Sequence, residues 1–249
     1  LSWCGKKMID RSVKVRLFLK NKISVGSVIT LSDDQAKYLF KVMRLNIGQN
    51  ISVIDGNTGE YLAKIIEKNV RSGKLQIVKK SKGVLLPPDL WLLFAPLKKN
   101  RTEFIIEKAT ELGVQRIIPV ITARTVLSGL RIPRLKTIMI EALEQCGGTY
   151  LPTLSEPVKL DDALSTWPEE RQLIFCDETL SEIQNVDPFN TFEKKHSAGI
   201  LIGPEGGFSS IEGQAIRRIK NVLSISLGPR ILRADTAAVS AISIWQNFN

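Results

Sequence analysis

The sequence is poor in the residues that build metal sites and disulfide frameworks. Its 249 residues include one histidine, His196, and three widely separated cysteines, Cys4, Cys146 and Cys176. No two cysteines form a CxxC pair, so we expect reduced, structural thiols rather than a disulfide framework or a zinc site. The histidine lies in a polar segment, which predicts that it is a loop residue. We therefore expect no bound metal.

The sequence also lacks a long apolar run. No stretch reaches the roughly eighteen apolar residues that a membrane span needs, and the charged residues among the first thirteen leave no apolar core for a signal peptide. With 43% hydrophobic residues, the chain is nevertheless able to bury a sizeable core. We expect a globular protein with a cytoplasmic location and no membrane partner.

Positive charge is confined to the first third of the chain. Residues 1–86 contain 17 Lys and Arg against 6 Asp and Glu, whereas residues 87–249 contain 18 against 19. Scattered lysines usually form an ordinary solvated surface. A surplus this localised instead favours a partner with a phosphate backbone, and we interpret it as the footprint of a nucleic acid.

The first third of the chain is predicted to form short strands and one helix. Apolar segments at 15–19, 27–30, 51–55, 60–67 and 74–78 predict strands, and the sequence DGNTG at 55–59 predicts a hairpin turn. Ser32 and Gln35 form a potential capping box for a helix that runs to Leu45. This pattern favours a small basic β-barrel.

After the prolines at 87 and 88, apolar strands alternate with helical segments. Helices ending at Gly113 and Gly147 each follow an apolar strand, and a further helix is predicted at 237–245. The segments at 172–177, 199–203 and 222–228 are apolar enough to be buried on both faces. They predict an α/β fold with a parallel sheet.

Two loops at the ends of these strands have unusual sequences. The first, GPEGGFS at 203–209, combines three glycines with Glu205 and leads into a helix that Ser209 and Glu212 are placed to cap. Glycines permit the close approach of a ligand, although a tight strand-to-helix turn explains them equally well. The loop does not match GxGxxG or GxxxxGK[ST], which disfavours Rossmann and P-loop sites.

The second loop, LGPRILRADT at 227–236, places Arg230, Arg233 and Asp235 between an apolar strand and an apolar helix. Arginine forks suit bidentate contacts with phosphates or carboxylates. The alternative is a structural ion pair between Arg233 and Asp235. Both readings stay open at the level of the sequence.

Together, GPEGGFS and LGPRILRADTAAVSAI closely resemble the paired C-terminal motifs of the bacterial RsmE-type 16S ribosomal RNA (uracil-N3) methyltransferases. The resemblance extends to RTEFIIEKATELGVQRIIPV, EALEQC, VRLFL and YLFKVMRLNIGQNISVIDG, and so covers almost the whole chain. Several motifs in the same order make the match specific.

The resemblance implies a PUA-like β-barrel RNA-binding domain at 1–82 and a SPOUT methyltransferase domain at 83–249, with a parallel sheet and a deep trefoil knot. It further implies a homodimer that binds S-adenosylmethionine and acts on 16S ribosomal RNA within the small ribosomal subunit. The cofactor contacts that it implies are Cys176, Glu178, Leu201, Ile202, Gly203, Leu227, Gly228, Ile231 and Leu232. Arg16, Arg44, Lys98 and Arg101 are the expected RNA contacts.

Uracil N3 must lose its proton before it accepts a methyl group, and nearby positive charge stabilises the resulting anion. Arg230 and Arg233 are the candidates for this role, and Glu205 or Asp235 is the candidate proton acceptor or orienting group. A catalytically silent RNA-binding or ribosome-assembly protein is the alternative, as is an enzyme acting on free nucleotides. The glycine loop disfavours the former and the basic N-terminal region the latter.

The sequence departs from the family at three points. Ala234 and Asp235 stand where Thr-Glu is common, which shortens the carboxylate by one methylene and removes a hydroxyl. The segment at 128–136 is short, and Gly148 lies where many members have arginine. We expect the last two departures to affect RNA contacts more than methyl transfer.

Overall fold

The computed structural model describes residues 15–126, 130–182 and 197–248. They form two compact units: the first includes the chain through Leu86 together with Gly147–Tyr150, and the second includes Pro87–Cys146 and the chain from Leu151 onward. Cys4 and His196, which we expect to be a structural thiol and a loop residue, lie outside the described residues.

The first unit is built on a five-stranded sheet with the order β1-β3-β4-β5-β2. Its strands are β1 (Arg16–Phe18), β2 (Val28–Thr30), β3 (Asn50–Ile54), β4 (Glu60–Lys68) and β5 (Gly73–Lys82). Three register shifts between β4 and β5 curl the sheet. Within the described residues β1 and β2 are its edges, and the strands form a curled sheet at the place where the sequence predicted a small β-barrel.

The predicted hairpin at 55–59 is confirmed, since β3 and β4 pair antiparallel on either side of it. The Asp55 carboxylate accepts hydrogen bonds from the backbone N–H groups of Asn57 at 2.9 Å and Thr58 at 2.7 Å. This local bonding is the reason that an aspartate at the start of a turn stabilises it.

The predicted helix of the first unit begins as expected but ends early. Helix α1 (Asp33–Lys37) has the predicted capping box, formed by Ser32 and Gln35. It continues as one π-helical turn, Tyr38–Val42, rather than as an α-helix to Leu45. The reason is that Arg44 adopts φ +54°, which turns the chain so that the Leu45 N–H donates to the carbonyl of Leu39.

The second unit contains the predicted parallel sheet. Its seven strands have the order β12-β10-β11-β6-β7-β8, with β9 also on β7, and every pairing is parallel. They are β6 (Asp89–Phe94), β7 (Arg116–Ile121), β8 (Thr153–Leu154), β9 (Val158–Lys159), β10 (Gln172–Cys176), β11 (Ser197–Ile202) and β12 (Val222–Ile225). The central strands are buried on both faces, as their continuous apolar sequences predicted.

Helices cover both faces of this sheet. They are α2 (Lys99–Glu111), α3 (Ile132–Cys146), α4 (Leu160–Ser165), α5 (Ser210–Arg217) and α6 (Ala234–Phe248), with a 3-10 turn at Glu178–Glu182. One apolar core joins α2, α3 and α6 to the sheet, and a second joins α4 and α5 to it. Gly113 and Gly147 have φ of +73° and +77°, in agreement with their predicted role as helix ends.

Within the described ranges, no helix is long and apolar enough to cross a membrane. The same residues contain no group of three or more His, Cys, Asp or Glu side chains that could hold a metal ion.

The last helix is anchored by a fully buried tryptophan. Trp245 is 1% exposed and lies in the core between α6 and the sheet. We expect Trp245→Ala to lower the free energy of unfolding by about 3–5 kcal/mol, because truncating a buried aromatic leaves a cavity. Urea denaturation followed by circular dichroism measures this change. The control is Ile211→Ala on α5, where the side chain is 81% exposed and the change should stay within about 0.5 kcal/mol.

Candidate active site

The candidate site lies where three neighbouring parallel strands end. Strand β10 pairs with β11 on one side and β12 on the other, so the three carboxyl ends share one edge of the sheet. Open parallel sheets bind ligands at this edge. A cavity of about 690 Å³ lies there, and the loops that follow the three strands supply most of its walls.

The cavity brings together most of the residues that the sequence singled out. Eight of the nine expected cofactor contacts line it: Cys176, Glu178, Ile202, Gly203, Leu227, Gly228, Ile231 and Leu232. Leu201 instead has a fully buried side chain in the core, because successive side chains on a strand point to opposite faces. Of the four candidate catalytic residues, Glu205, Arg230 and Arg233 also line the cavity.

Gly203 makes room for an aromatic ring. A β-carbon at this position would come within 2.7 Å of the Phe208 ring, which in turn packs edge-on against Phe175 at 5.3 Å between ring centroids. A side chain at 203 would therefore displace Phe208 from the cavity wall. Gly203 also lines the cavity, so the close approach of a ligand to its backbone stays a prediction.

Gly228 has the properties that the sequence suggested for a ligand-facing glycine. Its φ is +115°, a conformation that other residues rarely adopt, and no atom lies within 4 Å of a β-carbon placed on it. The residue thus leaves open space beside a backbone segment that lines the cavity.

The glycine loop is held in place by polar contacts on both sides. Glu212 forms the predicted capping box with Ser209 and also accepts a hydrogen bond from the backbone N–H of Ala123 at 2.7 Å. Burial alone would raise the pKa of Glu212, but these backbone donors outweigh it and hold the pKa below its usual value. Arg124 donates to the carbonyl of Gly206 at 2.6 Å.

Arg101 connects the glycine loop to the start of α6. Its guanidinium group forms an ion pair with Glu205, and its Nε lies 3.9 Å from the Asp235 carboxylate. Both carboxylates that pair with Arg101 are therefore among the candidate catalytic residues that the sequence singled out. Arg101 itself was expected to contact RNA. Asp235 is paired with Arg101, and not with Arg233 as the structural alternative required.

Arg230 and Arg233 are exposed at the cavity and, among the described residues, neither forms an ion pair. Their guanidinium groups are available to a ligand, in contrast to that of Arg101. At these two loops, one arginine is therefore engaged with two carboxylates and two arginines have free donor groups.

Sequence reasoning missed an ion pair in the cavity lining, which joins a buried aspartate to a half-exposed arginine. Asp177 is 3% exposed and pairs with Arg217 of α5, and its Oδ1 accepts hydrogen bonds from the backbone N–H of Thr179 at 3.1 Å and its hydroxyl at 2.7 Å. Asp177 directly follows β10, so its position at a strand end was a usable signal. No feature of the sequence marks Arg217 as its partner.

The expected RNA contacts other than Arg101 lie outside the cavity lining. Arg16 donates to Glu60 at 3.2 Å and to the carbonyl of Gly148 at 2.8 Å, both in the first unit, and only 14% of its side chain is exposed. Arg44 and Lys98 are exposed, the first after the π-helical turn and the second at the start of α2.

Models of two domain families match the chain. One described as RNA methyltransferase domain matches residues 85–246, and one described as RNA methyltransferase PUA domain matches residues 31–78. The chain is also 30% identical over 229 residues to the ribosomal RNA small subunit methyltransferase E of Rickettsia conorii, with 92% of this chain and 93% of the relative covered.

Two solved structures resemble the chain along nearly its whole length. A ribosomal RNA small subunit methyltransferase E from Neisseria gonorrhoeae, bound to S-adenosyl methionine, superposes with a TM-score of 0.82 at 26% identity. A methyltransferase from Legionella pneumophila, in complex with the bound cofactor, gives a TM-score of 0.83 at 29% identity. Each comparison covers 94% of this chain and 97% of the other.

The cysteine at the cavity provides a chemical test of the site. Desolvation raises the pKa of the Cys176 thiol to about 12, whereas Cys146 is exposed. Because the thiolate is the nucleophile, we expect iodoacetamide near neutral pH to alkylate Cys146 at least about tenfold faster than Cys176. Peptide mass mapping distinguishes the two sites. Equal rates would show that the cavity wall is more open than the structure describes.

Proposed function

The chain belongs to the RsmE-type RNA methyltransferase family, and we propose that it transfers a methyl group from S-adenosylmethionine to N3 of a uridine in 16S ribosomal RNA. The observation that carries the proposal is the cavity at the three strand ends, lined by both family motifs and by two arginines with free donor groups. We further propose that it acts in the cytoplasm as a homodimer, on RNA within the small ribosomal subunit, and that its second unit contains the family's trefoil knot.

The cavity fits the proposed cofactor. Its volume of about 690 Å³ lies within the range of small-molecule sites, and residues 202–203, 227–228 and 230–232 form part of the lining. Ile202, Leu227 and Leu232 provide apolar surface, and Gly228 leaves the adjacent space open. When bound there, S-adenosylmethionine supplies a methyl group on a positively charged sulfur.

Arg233 is the candidate that stabilises the uracil anion. Loss of the N3 proton to solvent places negative charge on the ring oxygens, and a guanidinium donor fixed nearby lowers the free energy of that anion. N3 then takes the methyl group, and S-adenosylhomocysteine leaves. Arg233 is exposed at the cavity, and its carbonyl accepts a hydrogen bond from Ala237 at 2.8 Å in the first turn of α6. Its backbone is therefore fixed while its side chain is free. Arg230 is a second candidate on the same loop.

Glu205 and Asp235 have an orienting role in this proposal. Both carboxylates are engaged with Arg101, which connects the glycine loop to the start of α6. Since Asp235 lies two residues after Arg233, the Arg101 pair also fixes the segment that presents Arg233. Arg101 is thus a positioning residue, and the same contacts occupy the guanidinium that we first expected to meet RNA.

Loss of Arg233 should slow the reaction without weakening cofactor binding. We expect Arg233→Ala to lower single-turnover methylation by a factor of about 100 to 1,000, the range for one oriented donor. Arg233→Lys should restore activity only in part, because it keeps the charge but loses the planar fork. Higher pH should recover some activity of the alanine variant, since more uridine is then deprotonated at N3.

The control for this measurement is Arg218→Ala, which removes an exposed arginine outside the cavity lining. Calorimetry with S-adenosylmethionine tests cofactor binding separately. A stable Arg233→Ala variant that methylates RNA at the wild-type rate removes Arg233 from the mechanism. A wild-type chain that binds RNA but neither binds the cofactor nor methylates would support the silent RNA-binding protein instead.

Arg101 should behave as a positioning residue and not as a phosphate contact. We expect Arg101→Ala to lower kcat while leaving KM for RNA and its salt dependence nearly unchanged, with partial rescue by Arg101→Lys. A double-mutant cycle with Asp235→Asn should show non-additive losses, because the two residues act on one contact.

Lys99→Ala is the matched control, since Lys99 is exposed two residues before Arg101 on α2 and has no ion pair among the described residues. Its loss is expected to change salt dependence at most. If Arg101→Ala raises KM and flattens the dependence of log K on log salt by about 0.7–0.9, Arg101 is a phosphate contact and its positioning role is wrong.

A further inference from the structure

A short segment of the first unit exposes apolar side chains to solvent. Val42, Met43 and Ile47 are 67%, 37% and 61% exposed, although they follow directly on Leu39 and Phe40, which are buried in the core. Core packing therefore explains why Leu39 and Phe40 are apolar, but it does not explain why the exposed residues are apolar. We refer to residues 41–47 as the 41–47 surface.

The backbone of the 41–47 surface is fixed in an unusual conformation. Arg44, with φ +54°, is the one non-glycine residue with positive φ in the part of the chain that the structure describes. The Lys68 ammonium group holds the segment by donating to the carbonyl of Leu45 and to Asn46 Oδ1, each at 2.9 Å. The segment therefore combines a strained backbone, fixed by hydrogen bonds, with an adjacent π-helical turn. Both features are typical of segments that bind ligands.

Both charged residues within the 41–47 surface are positive. Lys41 and Arg44 are exposed within the segment, and neither has an ion pair among the described residues. Two acidic residues of the same unit, Asp33 and Glu67, are instead paired with lysines of their own, Lys37 and Lys74, at 2.6 Å each. The surface therefore presents apolar groups between cations that are free to bind anions.

Exposed apolar side chains beside unpaired cations fit an RNA with unpaired bases better than a duplex. Cations bind phosphates of any nucleic acid, whereas apolar side chains gain nothing from phosphates and need the faces of bases. A duplex hides those faces, and single-stranded loops and bulges expose them. We propose that the 41–47 surface binds single-stranded RNA, with Val42, Met43 and Ile47 against unstacked bases and Lys41 and Arg44 on the flanking phosphates.

The proposal rests on the proposed function in taking RNA as the partner, and it adds the part of the RNA that is bound. It predicts two separable effects. Removing apolar groups should weaken binding to unpaired RNA alone, because paired bases never reach them. Removing a cation should weaken binding to loop and duplex alike, because both carry phosphates.

The test uses the full chain and two RNA probes of equal length, a hairpin with a large loop and a continuous duplex. We expect Val42→Ser/Ile47→Ser to weaken hairpin binding about tenfold, because two apolar contacts with the bases are lost, with unchanged duplex binding and an unchanged salt slope. Arg44→Gly should weaken both and flatten the slope by about 0.7. Because glycine accepts positive φ, this variant also relieves the strained backbone and should fold.

Val25→Ser/Val28→Ser is the matched control, since both side chains are more than half exposed elsewhere in the same unit. It should bind both probes like the wild type. Equal binding of the hairpin by the 42/47 variant and the wild type overturns the proposal, as does an equal loss on hairpin and duplex.

Two other partners would also overturn it. If the 42/47 variant loses binding to phosphatidylserine vesicles while hairpin binding is unchanged, the surface is a membrane contact. If sedimentation velocity instead shows that this variant loses self-association while hairpin binding is unchanged, the surface joins two copies of the chain. Cofactor calorimetry and methylation of the wild type are measured in parallel, so failure of the proposed function is recognised separately.

Discussion

The parallel pairing of β10 between β11 and β12 is the constraint on which the candidate site depends. Parallel strands bring their carboxyl ends to one edge, so segments that are about 25 residues apart or more in sequence become neighbours. The loops themselves then need few long-range contacts to meet. Those present are polar and specific, and they include the contacts of Arg101 with Glu205 and Asp235 and that of Glu212 with Ala123. The sheet sets the location of the cavity, and these contacts set the shape of its walls.

Paired and unpaired arginines have different roles at the cavity. Arg101 and Arg217 are satisfied by carboxylates of the protein, whereas Arg230 and Arg233 keep their donors for a ligand. A satisfied guanidinium braces a loop, because breaking the pair would leave a carboxylate without its partner. An unpaired guanidinium group at an exposed position lowers the stability of the free protein little, since water solvates it. The same side chain thus serves stability or recognition according to its neighbours.

Local signals predicted much of the fold, and long-range pairing could not be predicted in the same way. The capping boxes at Ser32 and Ser209 and the helix ends at Gly113 and Gly147 depend on adjacent residues, and all four are confirmed. Strands β8 and β9 have two residues each and show no periodicity. For the site, strand-end position predicted the two loops, whereas the family resemblance supplied the individual cofactor contacts, most of which line the cavity. The ion pair that joins Arg101 to residues more than 100 positions away has no signature in the sequence.

The return of Gly147–Tyr150 to the first unit affects how the chain folds during synthesis. The carbonyl of Gly148 accepts a hydrogen bond from Arg16, and the Thr149 hydroxyl accepts one from the backbone N–H of Leu85. A ribosome therefore has to synthesise β6, α2, β7 and α3 before the amino-terminal unit is complete. Until Gly148 and Thr149 have emerged, Arg16 and the Leu85 N–H each lack one of their native acceptors. Completion of the first unit is thus coupled to translation of the central helices.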